Sequence, residues 1–178
     1  MKPKKKILLF GPTASGKSKL AVDIAKKFNG EIINADSMQI YKEVKVLSAR
    51  PDDKNIKHHL YGIISVKKNF SVGLWYKLAV DKIKEVIKKG KTPIIVGGTG
   101  LYFKILLEGL TEIPDVPKIN TKINSEKFHA IINNYKSKYP RIFEGINLND
   151  KQRILRAISV YEHTGISLSK WYKVKNKK

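Results

Sequence analysis

The residues Gly11, Pro12, Thr13, Ala14, Ser15, Gly16, Lys17 and Ser18 have the spacing G-x-x-x-x-G-K-[ST] and follow directly on the apolar run Ile7, Leu8, Leu9, Phe10. A strand before and a helix after are the context in which this spacing makes a phosphate-binding loop. The glycines let backbone N–H groups turn inward onto phosphate oxygens, Lys17 adds a point charge, and Ser18 offers a hydroxyl to Mg²⁺ at a helix start whose dipole favours anions. The helix is legible as well: Leu20, Ala21, Ile24, Ala25 and Phe28 recur at helical spacing, and Gly30 supplies a stop.

The rest of the chain continues the alternation. Strand-like runs fall at about 5–10, 31–36, 59–64 and 93–97, and helical patterns at about 17–28, 73–89 and 99–108. The expected fold is α/β, a P-loop NTPase-like parallel sheet flanked by helices. The second long helix is set by Leu74, Trp75, Leu78, Ile83, Val86 and Ile87 and ends at Gly90 before Pro93. After Leu110 the texture changes to a linker over 111–125 that holds Pro114 and Pro117, then to short helices near 125–138 and 150–163, the last carrying Ile154, Leu155, Ile158 and Tyr161 on one face and closing at Gly165. This divides the chain into a core over 1–110 and a helical region over 111–178. No later strand returns to the sheet, so the core is expected to be incomplete. Lys173 to Lys178 is expected to be a frayed charged tail.

Composition narrows the classes. At 178 residues and 42% apolar content one core with a small appendage is expected, and the absence of cysteine removes disulfides and thiolate metal sites. No apolar run approaches a membrane span, and the lysine-rich start leads straight into the first strand, so a cytoplasmic, membrane-free protein is expected. The net charge of +21 points to a polyanionic partner, although only four of the 36 basic residues are arginines and a lysine-rich proteome would produce the same excess. A sharper local signal is the end of the chain, 151–178, which has eight Lys/Arg against the single acid Glu162.

In an open parallel sheet, ligands sit at the carboxyl ends of the strands. The second strand ends in Asp36, Ser37, Met38, Gln39; its carboxylate can reach a metal or an incoming nucleophile, or can be a turn or capping residue. The strand Thr92 to Val96 ends in Gly97, Gly98, Thr99, Gly100, where glycines allow close approach of a ligand and Thr99 can donate a hydrogen bond. An ordinary nucleoside triphosphatase carries an acid at such a strand end to hold Mg²⁺; its absence argues for a different phosphate ester. Arg153 and Arg156, one turn apart with Gln152 beside them, suit phosphates, base edges or a solvated face. His58 and His59 are adjacent and on a strand point to opposite faces, which argues against a shared metal ion. His129 and His163 have no partner at ligand spacing, and Met38 reads as packing or a loop contact.

Taken together, Gly11 to Ser18, Asp36 to Tyr41, Gly97 to Phe103 and Asn149 to Ala157 resemble the tRNA dimethylallyltransferases, also called tRNA isopentenyltransferases; Ala49-Arg50-Pro51, His58-His59-Leu60, Tyr161 to Gly165 and Ser169 to Trp171 extend the resemblance over nearly the whole chain. The resemblance implies transfer of a dimethylallyl group from its diphosphate to N6 of the adenosine adjacent to the anticodon. Gly11, Thr13, Ala14, Ser15, Gly16, Lys17 and Ser18 would hold the diphosphate, with Ser18 helping to place Mg²⁺. Asp36 would be the general base on the flipped-out adenine, with Lys17 assisting the leaving group. Ser37, Met38, Gln39, Thr99, Gln152, Arg153, Ile154, Leu155 and Arg156 lie at tRNA-contacting positions. The implied partners are the tRNA anticodon stem-loop and dimethylallyl diphosphate, with the protein a monomer. Ser48 and Arg50 stand where the family more often has Thr and Lys, and the family's tRNA-contacting linker Arg aligns with Asn120, Thr121 or Lys122. The family continues past Trp171 with a strand and a helix bearing an active-site Arg, so a C-terminally truncated member is expected. Two alternatives stay open, a P-loop small-metabolite or nucleoside kinase and a non-catalytic tRNA-binding remnant.

Overall fold

The computed structural model describes residues 5–51, 55–111, 113–117, 119 and 123–173. These form two compact units, Met1–Leu110 and Thr111–Lys178. Among the described residues no helix is long and apolar enough to cross a membrane.

The first unit alternates strand and helix: β1 (Ile7–Phe10), α1 (Lys17–Lys27), β2 (Gly30–Asn34), β3 (His58–His59), α2 (Val72–Lys88), β4 (Thr92–Gly97) and α3 (Gly100–Glu108). The strands make one sheet in the order β1-β4-β2-β3, every pairing parallel. Parallel strands buried on both faces read as continuous apolar runs; the Ile94-Ile95-Val96 stretch of β4 does so, and β2 does so only at Ile32 and Ile33, between the buried polar Glu31 and Asn34. Alternation sends Ile32, Ile94 and Val96 to the layer with Ala21, Val22 and Ala25 of α1, and Ile33 and Ile95 to the layer with Trp75, Ala79, Ile83 and Val86 of α2 and Tyr102 and Phe103 of α3. Helices therefore cover both faces of a P-loop NTPase-like core. α2 starts at Ser71, whose side chain accepts a hydrogen bond from the Leu74 N–H at 3.2 Å.

Three details depart from the sequence reading. The strand expected over 59–64 is reduced to His58–His59, because Leu60 and Gly62 take positive φ values of 62° and 56° and turn the chain away; Ile64 keeps only an isolated parallel bridge to Tyr41. On α1 the buried face is Ala21, Val22 and Ala25, while Leu20 and Phe28 are exposed. Leu74, one of the apolar residues that set this helix in the sequence, is also exposed.

The second unit is helical: α4 (Ser125–Lys138), α5 (Lys151–Thr164) and α6 (Leu168–Lys173). Asn124 caps α4 by accepting from the Lys127 N–H, and Asp150 caps α5 by accepting from the Arg153 N–H. Gly165, at φ 69°, closes α5 in the left-handed conformation that glycine adopts without steric cost. Phe128 and Ile132 of α4, Ile142 and Phe143 of the connection, Ile154, Leu155 and Ile158 of α5 and Leu168 of α6 form its core. The sequence reading did not anticipate α6, although Ser167 after Gly165 is a helix-start signal; Lys173, assigned to a frayed tail, is its last residue, and 174–178 lie outside the described residues.

Candidate functional site

The strand order decides which loops meet. β4 lies between β1 and β2, so the loops leaving β1, β4 and β2 are neighbours at the carboxyl end of the sheet, where ligands of open α/β sheets bind. From β1, the chain turns through Ala14 at φ 63° and Gly16 at φ 75°, and α1 begins at Lys17. A left-handed alanine is strained by roughly 1 kcal/mol or more, a cost tolerated where a loop must present its N–H groups inward. The Lys17 ammonium donates to the Pro12 carbonyl at 2.5 Å, arching over the loop, and the half-buried Ser18 is in the first turn of α1.

β4 contributes a close approach that only glycine permits. A Cβ on Gly97 would stand 2.1 Å from the Ala35 carbonyl carbon and oxygen. A Cβ on Gly98 would stand 3.2 Å from the Gly11 carbonyl oxygen and 3.7 Å from Asp36 Oδ2. Gly98 is thus close both to the Gly11 carbonyl, where the phosphate loop starts, and to the Asp36 carboxylate. Asp36 Oδ1 closes a turn by accepting from the Met38 N–H at 2.9 Å, while Oδ2 lies toward Gly98.

Around Asp36 the loop is tied down. Thr99 does not cap α3 with its side chain; its Oγ1 accepts from the Ser37 N–H at 2.9 Å and donates to Ser37 Oγ, and its N–H donates to the Ala35 carbonyl. Gln39 donates to the Ser48 carbonyl at 2.8 Å, and Met38 is exposed. Arg50 lies over Gly62, where an added Cβ would meet its guanidinium. Burial, with the Asp36 charge behind it, pushes the Tyr61 phenol well above its ordinary value. Burial, then Tyr41 and Asp36, push Tyr102 up to about 12. Both phenols remain protonated donors across the physiological range.

Sequence reasoning gave no site role to either tyrosine or to the buried Asn34 behind Asp36, and named Trp75 only as a residue that sets a helix; the one available signal was the polar Asn34 after Ile32 and Ile33. The argument against a shared metal at His58 and His59 is consistent with the geometry. His58 Nδ1 pairs with the Ile56 carbonyl, while the buried His59 Nε2 meets Glu31 Oε2 at 2.6 Å, and Lys91 holds the other Glu31 oxygen at 2.8 Å. Among the described residues no group of three or more His, Cys, Asp or Glu could hold a metal ion.

In the second unit the stretch Gln152 to Arg156 divides. Gln152 and Arg153 are exposed, Arg153 pairs with Asp150 at 3.1 Å, and Arg156 is half-buried. Ile154 and Leu155, also expected at tRNA-contacting positions, are buried, and their side chains pack in the core of this unit. Asn120, Thr121 and Lys122 lie outside the described residues.

A glycine-rich phosphate loop feeding a helix, on a parallel sheet whose next strand ends also converge there, defines an α/β protein of the P-loop class. Within that class the family model for IPP transferase matches residues 39–178 and that for isopentenyl transferase residues 4–73. The chain belongs to the IPP transferase family. It is similar to the tRNA dimethylallyltransferase of Pelagibacter ubique, 48% identical, with 96% of this chain and 57% of that protein covered, and to that of Rickettsia canadensis, 44% identical, with 94% and 54% covered. Among solved structures it is similar to a eukaryotic dimethylallyltransferase acting on tRNA (TM-score 0.77, 27% identity, 98% of this chain and 45% of that one). It is also similar to the full-length tRNA isopentenylpyrophosphate transferase of Bacillus halodurans (TM-score 0.61, 30% identity, 92% and 57%). The chain spans about half the length of the relatives it matches. These matches do not favour the kinase alternative.

Proposed function

We propose that this chain carries the transfer of a dimethylallyl group from dimethylallyl diphosphate to N6 of the adenosine adjacent to the anticodon in tRNA. One observation carries the reading: the start of the phosphate loop at Gly11 and the Asp36 carboxylate both lie close to Gly98, so a leaving group on the loop and a proton acceptor are near one another. In the reaction the adenine N6 attacks the allylic carbon, the carbon–oxygen bond to the diphosphate breaks, and the N6 proton passes to Asp36. The phosphate-loop N–H groups and Lys17 hold the departing diphosphate as its charge develops. Ser18, an oxygen donor in the first helical turn, suits Mg²⁺, a hard cation that takes few protein ligands beside phosphate oxygens. When bound, the ion would neutralise part of the leaving-group charge. On the loop after β2, Ser37, Met38 and Gln39 are in reach of a flipped nucleotide beside Asp36, and Gln152, Arg153 and Arg156 offer donors to the tRNA backbone. The protein acts as a cytoplasmic monomer in this reading.

Ligand-dependent unfolding tests the reading. Dimethylallyl diphosphate with Mg²⁺ at one hundred times its Kd raises the unfolding free energy by about 2.7 kcal/mol, and ATP by less. Equal or greater stabilisation by ATP refutes a site fitted to the diphosphate. Prenyl transfer to an anticodon stem-loop separates an enzyme from a non-catalytic remnant.

A further inference from the structure

Asn34 is the last residue of β2 and has no exposed surface, in a strand whose other interior positions include Ile32 and Ile33. An amide buried without partners costs a few kcal/mol, so a polar side chain at this point must be answered by hydrogen bonds. It is answered three times. Nδ2 donates to the Asp36 carbonyl at 2.9 Å and to the Leu60 carbonyl at 3.1 Å, and Oδ1 accepts from the Asp36 N–H at 2.9 Å. The partners fix the orientation of the amide, since two carbonyls face the nitrogen and one N–H faces the oxygen.

Two of these bonds go to the same residue. The side chain of Asn34 grips both main-chain polar groups of Asp36, two positions along, and ties them to Leu60 at the end of β3. The sheet itself does not need this grip: Asn34 is paired in register with Val96, and the Ala35 N–H donates to the Val96 carbonyl at 2.7 Å. Asn34 is in turn held from behind. Its own carbonyl accepts from the fully buried Trp75 Nε1 at 2.8 Å, and the Trp75 ring is stacked on Tyr102 at 4.1 Å and 15°. Beyond Asp36, the Ser37 N–H is taken by Thr99 and the Met38 N–H by Asp36 Oδ1. A carboxylate on a loop is ordinarily free to wander; this one has its backbone locked on both sides, and displacement by an ångström costs a proton transfer about a hundredfold in rate.

We propose that Asn34 is a positioning residue that fixes the backbone of Asp36, and through it the carboxylate beside Gly98, for proton acceptance. The proposal rests on the reading of Asp36 as the base. Its test compares wild type, Asn34→Ala, the isosteric Asn34→Asp, which keeps an acceptor for the Asp36 amide and loses both donors, and Asp36→Asn. Amide hydrogen exchange is followed at Asp36, Ile32 and Ile33. In Asn34→Ala the Asp36 amide exchanges about tenfold faster or more while Ile32 and Ile33 keep their protection. Transfer to an anticodon stem-loop falls about a hundredfold in kcat, with dimethylallyl diphosphate affinity within about twofold of wild type. In Asn34→Asp kcat falls similarly, with a smaller rise in exchange. Should Asn34→Ala not fold, Asn34→Asp carries the comparison. Retained protection at Asp36, or wild-type kcat in the Asn34 variants, overturns the proposal. So does a uniform loss of protection at Ile32, Ile33 and Asp36 together with lost diphosphate affinity, which would make Asn34 a residue of the sheet alone. Wild-type turnover in Asp36→Asn refutes the base reading whatever the Asn34 variants do. If wild-type turnover is below detection, the exchange comparison alone decides.

Discussion

The two adjacent glycines after β4 invite a paired substitution whose halves should behave differently. Neither Gly97 nor Gly98 needs the left-handed region, so alanine at each is a steric question rather than one of backbone strain. At Gly97 the new methyl carbon would meet the Ala35 carbonyl carbon and oxygen at 2.1 Å and the Asp36 N at 2.7 Å, against an ordinary carbon contact of about 3.5–4.0 Å. These are main-chain atoms held by the Ala35-to-Val96 and Thr99-to-Ala35 hydrogen bonds and by Asn34, so relief requires the end of β2 to move and those bonds to break. Overpacking of roughly 1–3 kcal/mol plus two net hydrogen bonds of about 1 kcal/mol each gives a cost of about 3–5 kcal/mol. At Gly98 the nearest atoms are 3.2 and 3.7 Å away and the residue is exposed. That clash is within about 1 kcal/mol, and the stiffened unfolded chain offsets about 0.4–1 kcal/mol of it. Urea unfolding read by Trp75 fluorescence in a Trp171→Phe background isolates the first unit. Gly97→Ala should lower the midpoint strongly at unchanged m, while Gly98→Ala should unfold like wild type yet lose most of the stabilisation by dimethylallyl diphosphate, since its methyl stands against both Gly11 and Asp36. A Gly97→Ala unfolding free energy within about 1 kcal/mol of wild type would refute the packing argument.

Glu31 predicts a pH dependence. Burial alone raises its carboxyl, but hydrogen bonds and charges from Lys91 and His59 outweigh it and hold the group below its ordinary 4.5. The resulting stabilisation is complete above pH 4.5 and is lost as the pH falls through the lowered value, so the gap between wild type and Glu31→Gln should close on acidification; a gap independent of pH contradicts the assignment. In the second unit, Arg153→Ala with Arg156→Ala should leave folding nearly unchanged and lower the logarithmic salt slope of tRNA binding by about 0.9 for each lost phosphate contact, whereas an unaltered slope would make them a solvated helix face. Leu155→Ala should instead cost about 2–5 kcal/mol of that unit's stability, measured by thermal unfolding.

What the sequence determined by itself depends on neighbours along the chain. The loop from Gly11 to Ser18 was legible because backbone phosphate binding needs glycines and a lysine at short fixed spacing. The closing of α5 at Gly165 was legible because caps act within one turn. The parallel, helix-covered core followed from apolar runs separated by helical periods. Family resemblance in those same local segments agreed with the matches over 4–73 and 39–178.

The tertiary structure decided whatever depends on partners far away in the sequence. Periodicity ranks Leu20 with Ala21, but only the position of the sheet puts Val22 inside and Leu20 out. The strand read over about 59–64 is only His58–His59, because the positive φ of Leu60 ends it. Ile154 and Leu155 follow directly on the exposed Arg153 in sequence, yet at about 100° per residue the helix turns their side chains away from it and into the core. Most of all, the insertion of β4 between β1 and β2 brings Gly98 close to both Gly11 and Asp36, and brings Trp75, 41 residues on, to the carbonyl of Asn34. Such pairings are chosen by which strands share a ladder and which faces exclude water, free energies that belong to the assembled layers and not to any single segment of the chain.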